Sequence, residues 1–114
     1  MGYLNTLAAE CHHTAEQHGF WEHLYFGRFD VDRTVSIENK SIWPEKIALI
    51  HSEASEMLEC IRKNKSEEEL ALECADLLIR LLDFTDARLI DIDGAVAMKM
   101  AINNNREHLH GGNF

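Results

Sequence analysis

One proline, Pro44, and six glycines are all the turn punctuation that 114 residues carry. Folds made of many short strands need more breakers, so the chain is expected to be mostly helical. Apolar residues recur with a helical period. Leu4, Leu7, Ala8, Cys11 and Ala15 predict a first helix from Gly2 to Gln17, with Gly19 as its C-terminal cap. Pro44 suits the first position of a second helix reaching Lys63, with Ile47, Ile50, Ala54, Met57, Leu58 and Ile61 on one face. After a polar turn, Ser66 and Glu69 read as a capping box that opens a third helix. Its main face carries Leu70, Cys74, Leu77, Leu81 and Phe84, while Leu72, Ile79 and Leu82 lie on the other side. Asp91 or Asp93 caps a fourth helix running to about Asn105. The expected fold is all-α, an antiparallel four-helix bundle in a single domain spanning residues 1–114.

The connection from Phe20 to Ile42 has no sustained period, yet it holds Phe20, Trp21, Tyr25, Phe26 and Phe29. Alternation at Phe29, Val31, Val35 and Ile37 allows short extended pieces within it. A connection this long usually serves a function or covers something. His108 to Phe114 reads as a tail.

Hydrophobic residues make up 46% and charged residues 27%, a balance that argues against disorder. Twenty acidic residues against eleven basic ones give a net charge of −9. That charge disfavours nucleic acid or an anionic membrane as a partner. A phosphate-bearing substrate stays possible, because a bound cation reverses the sign locally. Cys11, Cys60 and Cys74 form no CxxC motif, so a reduced, cytoplasmic setting is expected, with each thiol a small core residue. Met1 to Cys11 lacks the pattern of a signal peptide, and no apolar run approaches the length of a membrane span.

The informative residues are acids. Glu53 and Glu56 stand three apart on the second helix, and Glu73 and Asp76 stand three apart on the third. This spacing puts both members of a pair on one face, a turn apart. Glu53 and Glu56 share an edge with Leu49 and Cys60, while Glu73 and Asp76 lie between two apolar stripes. Acids among apolar neighbours are costly unless a cation compensates them. A solvated acidic face is the plain alternative, and it suits Glu59, Glu67, Glu68 and Glu69. Four carboxylates converging across a helix pair would make an all-oxygen site for Mg²⁺, with Mn²⁺ as a substitute.

Glu53-x-x-Glu56, sixteen intervening residues, then Glu73-x-x-Asp76 resembles the signature of the MazG-like all-α nucleoside triphosphate pyrophosphatases. The strings EKIALIHSEASEMLE and LECADLLIRLLDF agree with it, and KMAINNNR supplies Lys99, Asn103 and Arg106. The likeness runs from about Trp43 to Arg106; Phe20-Trp21 and His110-Gly111-Gly112 are also similar to small phage and bacterial members. The sequence departs at Ser52, where the longer motif has a second glutamate, and the number of metal ions stays open.

The resemblance implies Mg²⁺-dependent hydrolysis of a nucleoside triphosphate to a monophosphate and pyrophosphate. It also implies nucleotide-pool house-cleaning with a deoxyribonucleotide preference. Glu53, Glu56, Glu73 and Asp76 would hold the metal, and Glu53 or Glu56 would take the proton of the attacking water. Lys99, Asn103 and Arg106 recur at i, i+4 and i+7, one face suited to phosphate and sugar oxygens. Trp21, Trp43 and Phe20 are candidates for stacking on the base. Family members assemble from paired subunits, so a dimer or a dimer of dimers is expected, with Trp21 and the tail from His110 as candidate contacts. Two other readings compete. One is a helical module that binds nucleotide or metal without turnover. The other is a di-iron carboxylate bundle built on Glu10-x-x-His13 and Glu107-x-x-His110.

Overall fold

The computed structural model describes residues 2–21 and 42–106, which form four helices and, among the described residues, no strand. They are α1 (Tyr3–Gln17), α2 (Ile42–Arg62), α3 (Glu67–Ala87) and α4 (Ile92–Asn104). Tyr25, Phe26, the alternation from Phe29 to Ile37, Glu107 and the tail from His108 lie outside the described residues.

Local signals set most helix ends. Ser66 and Glu69 form the reciprocal capping box, each side chain bonding the other's backbone N–H. Asp91 caps α4 by accepting from the Gly94 N–H at 3.0 Å. Gly19, at φ 83°, takes the left-handed turn after α1 at no steric cost. Pro44 sits within the first turn of α2, which begins two residues earlier, at Ile42; there its missing N–H is still not needed.

Helix α3 is the centre of the packing. It runs antiparallel to α2 as a hairpin, so Glu53 meets Arg80 far from the turn while Cys60 and Glu69 flank a recess beside it. Alongside α1 it runs in the same direction: Ala8 and Cys11 cluster with Leu82, His12 reaches Asp83, and Ala15 clusters with Ala87. One apolar cluster joins Ala15, Trp21, Ile42, Trp43 and Ala87, with Phe84 against it. Trp21, Ile42 and Leu82 are fully enclosed, each contributing roughly 2–3 kcal/mol by its burial.

The rotation of the helices differs from the expectation drawn from their stripes. Leu82, expected away from the main face of the third helix, is core. The stripe of the second helix is turned outward: Ile47 is exposed, and Leu58 and Ile61 are 57% and 63% exposed. The inward side of α2 is Ile42, Trp43, Lys46 and Cys60. Cys74, expected to be buried, is exposed; Cys11 and Cys60 are buried free thiols, and burial pushes both thiol pKa values up.

Helix α4 buries no residue of its own, and its main neighbour is α1. The two are stapled at their N-termini. Asp93 accepts from the Leu4 and Asn5 backbone N–H groups at 3.2 and 2.7 Å, capping α1 from a distant helix. Asn5 returns the contact, donating from Nδ2 to Asp91 and accepting the Ile92 N–H. Gly2 leaves the room this needs: a Cβ there would stand 2.4 Å from the Asp93 carboxyl carbon. Among the described residues, no helix is long and apolar enough to cross a membrane.

Candidate functional site

The α2–α3 hairpin brings three of the four predicted acids together. Glu53 from α2 and Glu73 and Asp76 from α3 each offer an oxygen, and these oxygens lie within 4.8 Å of one another. Glu56, exposed one turn after Glu53, stands outside this trio. It is still near enough to act on it: partial burial first, then repulsion from Asp76, Glu56 and Glu53, raises the Glu73 carboxyl above the ordinary range. All three of these donors are hard oxygens, the set that suits Mg²⁺ or Mn²⁺ and does not suit a soft metal.

The acids stand between two hollows. Glu56 and Glu73 edge a recess of about 380 Å³ near the α2–α3 turn, where Lys63 and Lys65 also lie. Glu53 and Asp76 edge a larger cavity of about 580 Å³, walled mainly by α1 and α3. Leu7, Ala15, Phe20 and Ile79 give it apolar walls, and Arg80 and Asp83 add charge.

Arg80 was not singled out by the sequence. Its Nε donates to Glu53 Oε2 at 2.6 Å, and its guanidinium lies 6.0 Å from the Phe20 ring centroid. The i+4 step from Asp76 to Arg80 puts the cation on the acids' own face, which is the signal spacing could have offered.

From the cavity wall a polar group runs inward through Asp83. Asp83 meets His12 Nδ1 at 2.6 Å and accepts from the Trp21 indole at 3.0 and 3.2 Å. His12 Nε2 lies 3.4 Å from Glu16, and Lys46 donates to the Phe20 carbonyl at 2.8 Å while lying over the Trp21 ring. Burial lowers the pKa of that ammonium. Trp21 is thus built into the core at 1% exposure, and Trp43 packs beside it. Phe20 is the predicted aromatic that lines the cavity.

Lys99, Asn103 and Arg106 lie on or just after α4: Lys99 is exposed, and the other two are half-buried. Asn103 Oδ1 is buried with no hydrogen-bond partner among the described residues. Glu10 and His13 are exposed on α1 and do not join the acidic trio, while Glu107 and His110 lie outside the described residues. Comparison with protein-family models, curated proteins and solved structures finds no match for this chain.

Proposed function

We propose that the chain is a Mg²⁺-dependent nucleoside triphosphate pyrophosphohydrolase of the MazG-like type, releasing a monophosphate and pyrophosphate. The observation that carries this reading is the meeting of Glu53, Glu73 and Asp76 across α2 and α3, beside a cavity with apolar walls. The donor set fits the metal: hard oxygens only, on two helices that face each other. Bound there, Mg²⁺ would offset the charge of a triphosphate, polarise phosphorus and acidify water.

The chain's own groups take the remaining roles. Glu53, Glu73 and Asp76 hold the metal. Glu56, outside the trio, accepts the proton of the attacking water. The walls formed by Leu7, Phe20 and Ile79 exclude water around the base. Lys99, Asn103 and Arg106 serve phosphate and sugar oxygens, a role supported by the four-residue step that puts Lys99 and Asn103 on one face of α4, with Arg106 just past its end. The biological reading is removal of unwanted nucleotides in the cytoplasm, with deoxyribonucleotides preferred.

The working unit is a homo-oligomer, a dimer or a dimer of dimers. Its support is the outward stripe of α2 together with Leu72, Met98 and Met100, all more than 60% exposed. A second copy with the same faces is the partner of matching chemistry.

A panel of ribo- and deoxyribonucleoside triphosphates with Mg²⁺, with and without a chelator, tests the activity. Chelator-sensitive turnover of at least one triphosphate is expected. No turnover of any of them, by protein that binds Mn²⁺, would leave the non-catalytic binding module as the better reading.

A further inference from the structure

Arg80 stands at the seam between the carboxylate trio and the larger cavity, and it lines that cavity together with Glu53 and Asp76. Its side chain is 34% exposed while Glu53 is 15% exposed, so the ion pair is held at the cavity wall rather than in open solvent. The contact uses only Nε, at 2.6 Å. Among the described residues, the two terminal amino groups donate to no acceptor. A guanidinium with one edge engaged and its fork open has a defined use: it fixes the carboxylate it holds and still presents two parallel donors to an anion.

We propose that Arg80 serves the site twice. Through Nε it holds the Glu53 carboxylate in place for the metal, and through its terminal amino groups it binds a phosphate oxygen of the ligand in the cavity. The proposal rests on the reading of the acidic trio as a metal–phosphate centre. It adds a fixed cation on the α3 wall, where the acids alone would repel a polyphosphate. A lysine cannot replace it, because one compact ammonium on a flexible stem cannot hold Glu53 at this distance and fork onto a phosphate as well. Arg80 is accordingly both a positioning residue for Glu53 and a contact for the anion.

The test is titration calorimetry of the full chain and of Arg80→Lys and Arg80→Gln, first with Mn²⁺ alone and then with inorganic pyrophosphate at saturating Mn²⁺. Helical content is checked by circular dichroism, and the lysine variant keeps the charge should the glutamine variant fold poorly. Both variants are expected to lose about 10-fold or more in pyrophosphate affinity. Both are also expected to bind Mn²⁺ alone about 10-fold more weakly. The second effect has a sign that charge alone does not give, since removing a cation beside a metal would tighten binding.

Wild-type pyrophosphate affinity in both variants would overturn the proposal and leave the metal centre standing. Wild-type pyrophosphate affinity in the lysine variant alone would overturn the fork in favour of simple charge. Unchanged or tighter Mn²⁺ binding would overturn the hold on Glu53. Failure of the unaltered chain to bind Mn²⁺ would overturn the proposal together with the reading it rests on.

Discussion

His12 of α1 and Asp83 of α3 meet at 2.6 Å inside the molecule, with the imidazole only 1% exposed. Asp83 also receives the Trp21 indole, so one carboxylate satisfies two enclosed groups and ties the chain just after α1 to the central helix. Asp83→Ala would leave both without their partner. The expected cost is about 3 kcal/mol, read as a lower urea midpoint at unchanged slope. An unchanged midpoint would show that the contact contributes nothing to the fold.

The staple between α1 and α4 predicts a coupling. Gly2→Ala pushes a methyl group into the Asp93 carboxylate, and Asp93→Ala removes the cap outright. Each is expected to destabilise by about 1 kcal/mol in thermal unfolding. In the Asp93→Ala background the glycine substitution should cost almost nothing, because the atoms it displaces are gone. Additive costs would place the strain of Gly2→Ala elsewhere.

Acid should loosen the same end of the molecule. The Asn5 amide and then the Gly94 N–H hold the Asp91 carboxyl below the ordinary aspartate range. A depressed carboxylate stabilises the fold above its unfolded-state pKa, and that stability is lost as pH falls through its folded-state value. Glu69 is depressed in the same way by the Ser66 N–H and hydroxyl. Thermal unfolding of Asp91→Asn between about pH 5 and pH 2 should therefore fall less steeply than that of the unaltered chain. Parallel curves would contradict the assignment.

What the sequence made legible is what lies within one or two turns. The Ser66–Glu69 box and the Asp91 cap were readable because donor and acceptor are three residues apart. The acid pairs were readable for the same reason, and the hairpin brought Glu53, Glu73 and Asp76 together. Spacing along one helix does not say how far its neighbour is rotated. Leu82 therefore looked peripheral and the Ile47–Ile61 stripe looked internal, whereas Trp43, Lys46 and Cys60 form the inner side of α2. Asp93 caps a helix almost ninety residues away, and Arg80 reaches Glu53 across the hairpin. The first pairing leaves no local trace, and the second leaves only the i+4 step from Asp76 to Arg80.

The outward stripe of α2 makes the oligomer testable. Light scattering at micromolar concentration should give twice or four times 13.1 kDa. Leu58→Lys with Ile61→Lys should shift the mass toward one copy, since both side chains are more than half exposed. A mass of 13.1 kDa for the unaltered chain would refute the assembly.

In the proposed reaction the acids of α2 and α3 direct cleavage of the α–β phosphoanhydride bond. Phosphorus NMR of a deoxynucleoside triphosphate incubated with Mg²⁺ and the purified chain addresses it directly. Signals of monophosphate and pyrophosphate are expected to grow together, and turnover is expected to fall by orders of magnitude in Glu53→Gln, Glu56→Gln, Glu73→Gln and Asp76→Asn, each still helical. Orthophosphate with a nucleoside diphosphate, or near-normal turnover in any two of the four variants, would contradict it.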